Sequence, residues 1–582
     1  MDVSTTMIVK PGPVLDFLVA NQNINDPNQI DWQKAKIVLK NLKIRVLPSY
    51  QEHKIIGLSE LPCRDQTYKQ RIEDGKVVAE REVTISQYYK EKNDDLQEKN
   101  DDLQYDNFPC ITVGKPRNPT FFPPELCYLV SLQCYTKALN SLRRASLVEK
   151  SVQKPQERMD ILYDALKQSN YDSEPMLHAC GISVSPTFTK VFGRILQAPK
   201  LKTGNDEFFP HDGCWNFKDK RLIRPCHVNK WAVFNFSAHC DVRKLVRDLI
   251  RCGDMMGVKI DEPYDIFEEE RNMRGTAPNV RVDEMLKHLE TLPSVPRFLL
   301  CLLSERKNSD IYGPWKRKCL VDFGIVTQCL APSRVNDQYL TNLLLKINAK
   351  LGGMNSLLQV EDSSSIPVVS EIPTIILGMV VTPGSPGQLD CPSIAAVVSS
   401  MQWPLISKYR ASVHAQSPRL EMIDSLFKPK VTDYGPKDEG IIRELLVDFY
   451  TSSGKRKPDH VIIFRDGVNE SQFNQVLNVE LDQIMAACKF LDDNWSPKFT
   501  IIVAQTNHHT RFFIPNDSNN VPPVAPICYA HLAASQVGRF MKFDDYQSDT
   551  SSSQGGQSSE GCAPVRELPP LHERVRSSMF FC

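Results

Sequence analysis

No stretch of this chain approaches the roughly 20 consecutive apolar residues that a bilayer-spanning helix needs. The densest apolar cluster, Phe298-Leu299-Leu300-Cys301-Leu302-Leu303, is far too short and reads as a buried strand. An excess of one charge is also missing. Seventy Lys and Arg face 70 Asp and Glu, so no global field advertises a nucleic-acid partner and any basic surface is local. The 17 cysteines form no Cys-x-x-Cys pair and no Cys/His cluster with zinc spacing; they read as scattered reduced thiols. The first residues, Met1 to Lys10, carry no signal-peptide pattern. What remains is a 582-residue chain with 41% apolar residues, long enough for about four domains with separate cores.

The most informative stretch runs from Tyr312 to Leu351. Between Glu305 and Lys350, eight Lys or Arg stand against four Asp or Glu. Leu340, Leu343, Leu344, Ile347 and Leu351 follow helical spacing; Asn336 or Asp337 can cap the helix, and Gly352-Gly353 stops it. Lys346 and Lys350 are four apart on that helix, as are Tyr312 and Lys316 on the preceding segment. Neighbouring ammonium groups repel unless an anion sits between them. A terminal phosphate would supply one, with the Tyr312 hydroxyl and the Gln328 amide as donors. A solvated basic helix face is the competing reading of the same spacing.

The order Tyr-x3-Lys, Thr-Gln-Cys, Lys-Ile-Asn-x-Lys-Leu-Gly-Gly resembles the guide 5′-phosphate pocket of Argonaute proteins, and the resemblance covers almost the whole chain. Ser407-Lys-Tyr-Arg-Ala-Ser-Val413 and the terminal Met579-Phe-Phe-Cys582 resemble the plant subgroup of RNA-directed DNA methylation. The implied fold is multidomain, α/β and β. A small PAZ β-barrel with a linker remnant spans 1–135, and a second linker 136–221. A Rossmann-like parallel MID sheet spans 222–365, and an RNase H-like PIWI fold with an internal deletion 366–543. A Ser-, Gly- and Gln-rich tail covers 544–582. The chain starts inside the approach to PAZ, as a truncated product would.

The resemblance assigns the guide 5′ phosphate to Tyr312, Lys316, Gln328, Lys346 and Lys350. It assigns the guide 3′ end to Tyr89 and Tyr105, because aromatic rings pack on terminal nucleotides; core filling competes for both. Asp65 stands where many relatives carry a phosphate-facing histidine. The heptad Glu91–Gln97 is repeated at once as Glu98–Gln104, which reads as an enlarged surface loop. Basic residues Arg143, Arg144, Lys150, Lys154 and Arg158 of the linker are candidates for the guide backbone.

Slicing relatives hold two divalent ions with hard oxygen ligands. Asp466, Glu421 and His531 match three members of that set, Asp466 being the surviving metal-ligand position. The first aspartate is Val380, and its neighbouring histidine has become Pro383; Asp390 is too far along the chain to replace it. Asn520-Val-Pro-Pro523 runs straight into Val524-Ala-Pro-Ile-Cys-Tyr529, so a long family segment is missing. Its loss is expected to remove the layers that place His531 opposite Asp466 and to leave the PIWI half partly unfolded. The family's pocket arginine falls near Gln536.

The implied function is a small-RNA guide holder in gene silencing that does not slice. Its partners are a guide RNA and complementary RNA, with Gly-Trp-repeat silencing proteins as further candidates and no membrane. The only metal expected is Mg at the guide 5′ phosphate, the catalytic Mg being lost. The location is nucleus or cytoplasm, the subgroup favouring the nucleus. A guide-directed endoribonuclease and a non-functional truncated product are the alternatives.

Overall fold

The computed structural model describes residues 2–74, 77–95, 103–115, 118–135, 137, 141–194, 196–211, 215–304, 310–332, 335–383, 392–418, 420–433, 435–505, 508–513, 524–541 and 567–582. Two compact units emerge: Met1–Phe188 with Thr510–Phe513, and Thr189–His509 with Ile514–Cys582.

In the first unit, helices α1 (Val14–Gln22) and α2 (Trp32–Leu39) precede strand β1 (Lys43–Val46). The Asp31 carboxylate caps α2 by accepting from the N–H groups of Gln33 and Lys34. Then come β2 (Gln51–Pro62), a hairpin of β3 (Thr67–Asp74) and β4 (Val77–Thr84), and helix α3 (Ile85–Asp95). Strands β5 (Pro109–Lys115), β6 (Asn118–Phe122) and β7 (Cys127–Leu129) complete an antiparallel sheet of order β7-β1-β2-β5-β6, with Gly12–Pro13 at the β7 edge. Two register shifts along β2 bend it, as bulges do. Val14, Leu18, Ala35, Leu39, Ile44 and Val46 fill the core between helices and sheet.

Strand β4 ends at Thr84, because Ile85 starts α3 and turns its side chain into a core. One local expectation changes here. The first heptad copy is helix through Asp95 rather than loop; residues 96–102 lie outside the described residues. Further on, Pro155 opens α5 (Pro155–Ser169) after α4 (Ser141–Ser151), where its missing N–H costs nothing.

The second unit is built on two larger sheets, beside smaller ones of two and three strands. The first is fully parallel, order β9-β8-β10-β11, from β8 (Trp231–Phe236), β9 (Ile266–Glu268), β10 (Phe298–Leu303) and β11 (Val326–Leu330). Every residue of β8 and β10 is buried, as expected of strands covered on both faces. Helix α6 (Val242–Met256) stops at Gly257, φ +82°. Helices α7 (Pro278–Lys287), α8 (Tyr312–Arg317, continuing as a π-turn over Lys318–Phe323) and α9 (Asp337–Lys350) complete the layers.

The second sheet is mixed, order β14-β13-β12-β15-β16, from β12 (Thr374–Thr382), β13 (Ser393–Ser400), β14 (Tyr409–Gln416), β15 (His460–Asp466) and β16 (Lys498–Ala504). Helices α10 (Ile441–Ser452) and α11 (Asp482–Leu491) share one apolar core with it, built on Ile375, Leu377, Leu445, Phe449 and Ile463. Helix α12 (Ala525–Met541) and the C-terminal segment with its short helix α13 (Glu573–Arg576) share the other. Gly378 makes the docking of α12 possible: a Cβ there would lie 2.4 Å from the Pro526 carbonyl oxygen. Among the described residues, the expected exposure of an unfinished core is not found, since α12 covers Val380, Ala396 and Val398 with Ala530, Ala533 and Ala534. The junction 520–523 and Asp390 lie outside the described residues.

Candidate functional site

Asn336 caps α9, its Oδ1 accepting from the Tyr339 N–H at 2.8 Å, and Leu340, Leu343, Leu344 and Ile347 are buried as the spacing requires. The end of α9 is fixed by Asn348, wholly buried. Its Oδ1 accepts from the Cys226 N–H at 2.7 Å and its Nδ2 donates to Asn355 Oδ1 at 2.9 Å. A Cβ at Gly353 would lie 2.1 Å from that Oδ1, and Gly352 has φ +89°, so both glycines are required where they stand. This anchoring holds Lys350 against the parallel sheet.

Lys350 is 3% exposed and Lys316, from α8, 1% exposed. Their ammonium groups converge on one acceptor, the Thr327 carbonyl, at 3.2 and 2.7 Å. Lys350 also donates to Gln328 Oε1 at 2.9 Å. Among the described residues no side-chain carboxylate pairs with either cation. Burial, then the Lys316 charge, pushes Lys350 well below the usual lysine range. Buried ammonium groups are rare unless paired, and each carries three donors. The hydrogen bonds described for the pair leave ammonium donors over, and among the described residues no side-chain carboxylate balances its charge. Cys329 records the same field: burial raises its thiol, but a Cys301 hydrogen bond and the two lysines bring it down to about 7.

The structure thus brings together Tyr312, Lys316, Gln328 and Lys350. Tyr312 is half-buried, its ring centroid 5.8 Å from Lys316 Nζ, and burial raises its phenol. Lys346 is exposed at the rim and electrostatically coupled to Lys350. One detail differs from the sequence reading: Gln328, read there as an amide donor to a phosphate, lies within β11 with its Nε2 already donated to the Cys329 carbonyl at 2.7 Å. The C-terminus closes this side: Met579, Phe580 and Phe581 are buried, and Cys582 couples to both Lys350 and Lys346.

The 3′-end candidates divide. Tyr89 is 6% exposed and fills a small core with Cys63, Ile85 and Cys110, so its ring face is not offered to a ligand. Tyr105 is half-buried and stacks on Phe108 at 4.8 Å, its N–H donating to Glu125. Beside Tyr89, Tyr68 and Tyr88 are half-buried and meet edge to face at 5.2 Å; the sequence reading passed over both. Asp65 is exposed beside Arg64 at 3.5 Å. Arg158 of the linker is committed to Asp2 at 2.7 Å.

At the second sheet, Met379 pairs with Arg465, and Val380 and Asp466 are the next residues along their parallel strands. Val380 is 1% exposed and packed among alkyl groups. His531 Nε2 lies 2.8 Å from Asp466 Oδ2, which overturns the expectation that the missing segment would separate them; docking of α12 at Gly378 is the physical reason. Glu421 is exposed and hydrogen-bonded to Gln472, while its carbonyl accepts from Arg465 Nη2 at 2.7 Å. Among the described residues no three His, Cys, Asp or Glu side chains converge as metal ligands. A hydrocarbon beside Asp466 and a glutamate engaged elsewhere do not fit a pair of divalent ions.

Family models for the PAZ domain, the Argonaute linker 2 domain and the Piwi domain match residues 15–148, 157–203 and 298–524. The chain belongs to the Argonaute family. Its relatives include rice Protein argonaute 4A, 58% identical across all of this chain and 71% of the relative. Arabidopsis thaliana Protein argonaute 4 is 53% identical across all of this chain and 70% of the relative. The alignment to the rice protein spans 653 positions against the chain's 582 residues, so it opens gaps in this chain. In fold, the chain is similar to Kluyveromyces polysporus Argonaute, solved with a guide RNA: TM-score 0.64, 17% identity, 98% of this chain and 72% of that one. Drosophila Piwi follows with TM-score 0.58, 15% identity, 94% of this chain and 75% of that one.

Proposed function

We propose that this protein holds a small guide RNA by its 5′ phosphate and presents it to complementary RNA without cutting the target. The observation that carries the reading is the pair of buried lysines, Lys316 and Lys350, sharing the Thr327 carbonyl. A phosphate restores the balance of charge there and accepts the donors the protein leaves over. Lys346 at the rim adds a further positive charge; Mg, where present, would be held by the phosphate's own oxygens and not by the lysines.

Loss of slicing is supported by Val380. Two-ion phosphodiester cleavage needs carboxylate oxygens converging on one point, and a buried valine beside Asp466 removes a central one. The Asp466–His531 contact at 2.8 Å is the one observation that favours the endoribonuclease reading, because it keeps two members of the set together. Silencing is then carried by partners, Gly-Trp-repeat proteins among the candidates, and nuclear action follows the plant relatives. The test is binding of one short RNA with and without its 5′ phosphate, beside a cleavage assay on matched target with Mg or Mn. A phosphate preference with intact target is expected; metal-dependent cleavage would refute the second half.

A further inference from the structure

We infer that strand β16 is a docking edge for a second copy of this chain, the two strands pairing antiparallel about a two-fold axis at Ile501. The inference goes beyond the guide-holding reading and does not depend on it.

An edge strand presents a row of unpaired N–H and C=O groups, and native proteins blunt such edges with charge, proline, bulges or brevity. β16, Lys498-Phe-Thr-Ile-Ile-Val-Ala504, is the last strand of the second sheet, and among the described residues β15 is its only strand neighbour. It runs beside β15 in unbroken register, from His460 opposite Lys498 to Asp466 opposite Ala504. Its one charge is at its first residue, and neither proline nor bulge interrupts it. No residue of β16 is buried, whereas every residue of β13 in the same sheet is. Ile502 is 40% exposed.

The backbone fixes which groups are free. The Lys498 N–H donates to the Asp459 carbonyl, on the β15 side, at 2.8 Å. Successive residues of a strand turn their backbone groups to opposite sides. Those of Thr500, Ile502 and Ala504 therefore also face β15, and those of Phe499, Ile501 and Val503 face outward. The side chains of these three share one apolar face. Phe499 and Ile501 pack against the core that holds Ile375 and Leu445, and Ile501 and Val503 against Met422 and Val468.

A copy of the same strand fits this row. With the axis at Ile501, the two Ile501 residues face each other, and Phe499 of each copy faces Val503 of the other. Each such pair exchanges two backbone hydrogen bonds, about six in all. Aromatic and β-branched residues make favourable cross-strand neighbours. Lys498 faces Ala504, so no like charges are opposed. The chain's 70 Lys and Arg against 70 Asp and Glu leave no net charge to hold copies apart. The contact uses the same patch on both copies and closes as a dimer. It is smaller than a standard interface of about 1,600 Å², so the dimer is expected to be reversible.

The test is sedimentation velocity of the full chain without RNA over a concentration series, with hydrogen exchange of residues 498–504 at both ends of the series. Ile501→Pro removes one outward N–H and leaves the bonds to β15 in place, which edge strands accept. Ile502→Lys adds charge at an already exposed position and keeps the test open should the proline variant fail to fold. The mass should rise from monomer to dimer with concentration, and exchange at Phe499, Ile501 and Val503 should slow in step. Ile501→Pro should lower the association constant by roughly tenfold, as loss of two hydrogen bonds does, and Ile502→Lys should lower it as well. A single monomeric mass throughout would overturn the inference. So would a dimer that both variants leave unchanged, because the contact would lie elsewhere. Outward amides already protected in the dilute monomer would also overturn it, because the chain itself would then cover the edge.

Discussion

Placing a carboxylate back at Val380 tests whether this position now belongs to the core. Val380→Asp puts a carboxyl at a 1% exposed site, one residue past the Met379–Arg465 pair and alongside Asp466. The valine lost from the core is worth about 1.5–3 kcal/mol. An unpaired buried carboxylate will protonate rather than stay charged, and taking an acid with ordinary pKa near 3.9 to its neutral form at pH 7 costs about 4 kcal/mol. The sum is about 6 kcal/mol, comparable with the net stability of a whole domain. The sign of the pH dependence follows. The folded-state pKa is raised, so the penalty is small near pH 4 and grows as pH rises towards the folded value. Between pH 5 and pH 7 it should grow by about 2.7 kcal/mol. Hydrogen exchange of peptides covering 374–382 and 460–466 reports it directly. Val380→Ala, which leaves only a small cavity, should cost less and show no such pH dependence. Protection in Val380→Asp equal to the unaltered chain at both pH values would refute the reasoning, because it would mean the site is polar, hydrated or metal-ready.

Three further outcomes follow from the geometry. Phosphate binding should take up a proton: Lys350 sits well below its usual range in the free protein and regains its charge beside an anion. Affinity should therefore fall as pH rises above the depressed pKa towards the ordinary value near 10.4, and calorimetry above pH 7 in two buffers of different ionisation enthalpy would detect the uptake. Gly353→Ala drives a Cβ into Asn348, which anchors the end of α9. It should lower stability by about 1–3 kcal/mol and weaken the preference for a 5′ phosphate, both measurable on one preparation. Glu480→Gln breaks the buried pair with Arg465, Nη2 to Oε1 2.8 Å, both side chains at most 1% exposed. A loss of about 3–5 kcal/mol is expected, read by exchange at β15.

The stretch from Tyr312 to Leu351 was legible because its chemistry is local. Helical spacing gave the buried stripe of α9, and two glycines marked its end. The pocket's central feature was not legible: nothing in the spacing says that Lys316 and Lys350 share the carbonyl of Thr327, since that contact joins two helices across a strand. That Tyr89 fills the core while Tyr88 stays half-buried was not legible, because adjacent helical residues face differently and the sequence around them does not say which faces the core. The second sheet shows the largest divergence. Counting missing residues implied a missing layer, but tight docking at a single glycine, Gly378, lets α12 cover the sheet and deliver His531 to Asp466.

The most direct test of the central claim is the affinity of the full chain for one short RNA with and without its 5′ phosphate, at stated salt, beside Lys346→Ala. The pocket described here predicts clear preference for the phosphorylated RNA, reduced in the variant at a rim residue whose loss leaves the core intact. Equal binding of both RNAs by both proteins, fading alike as salt rises, would mean nonspecific electrostatics alone and would contradict it.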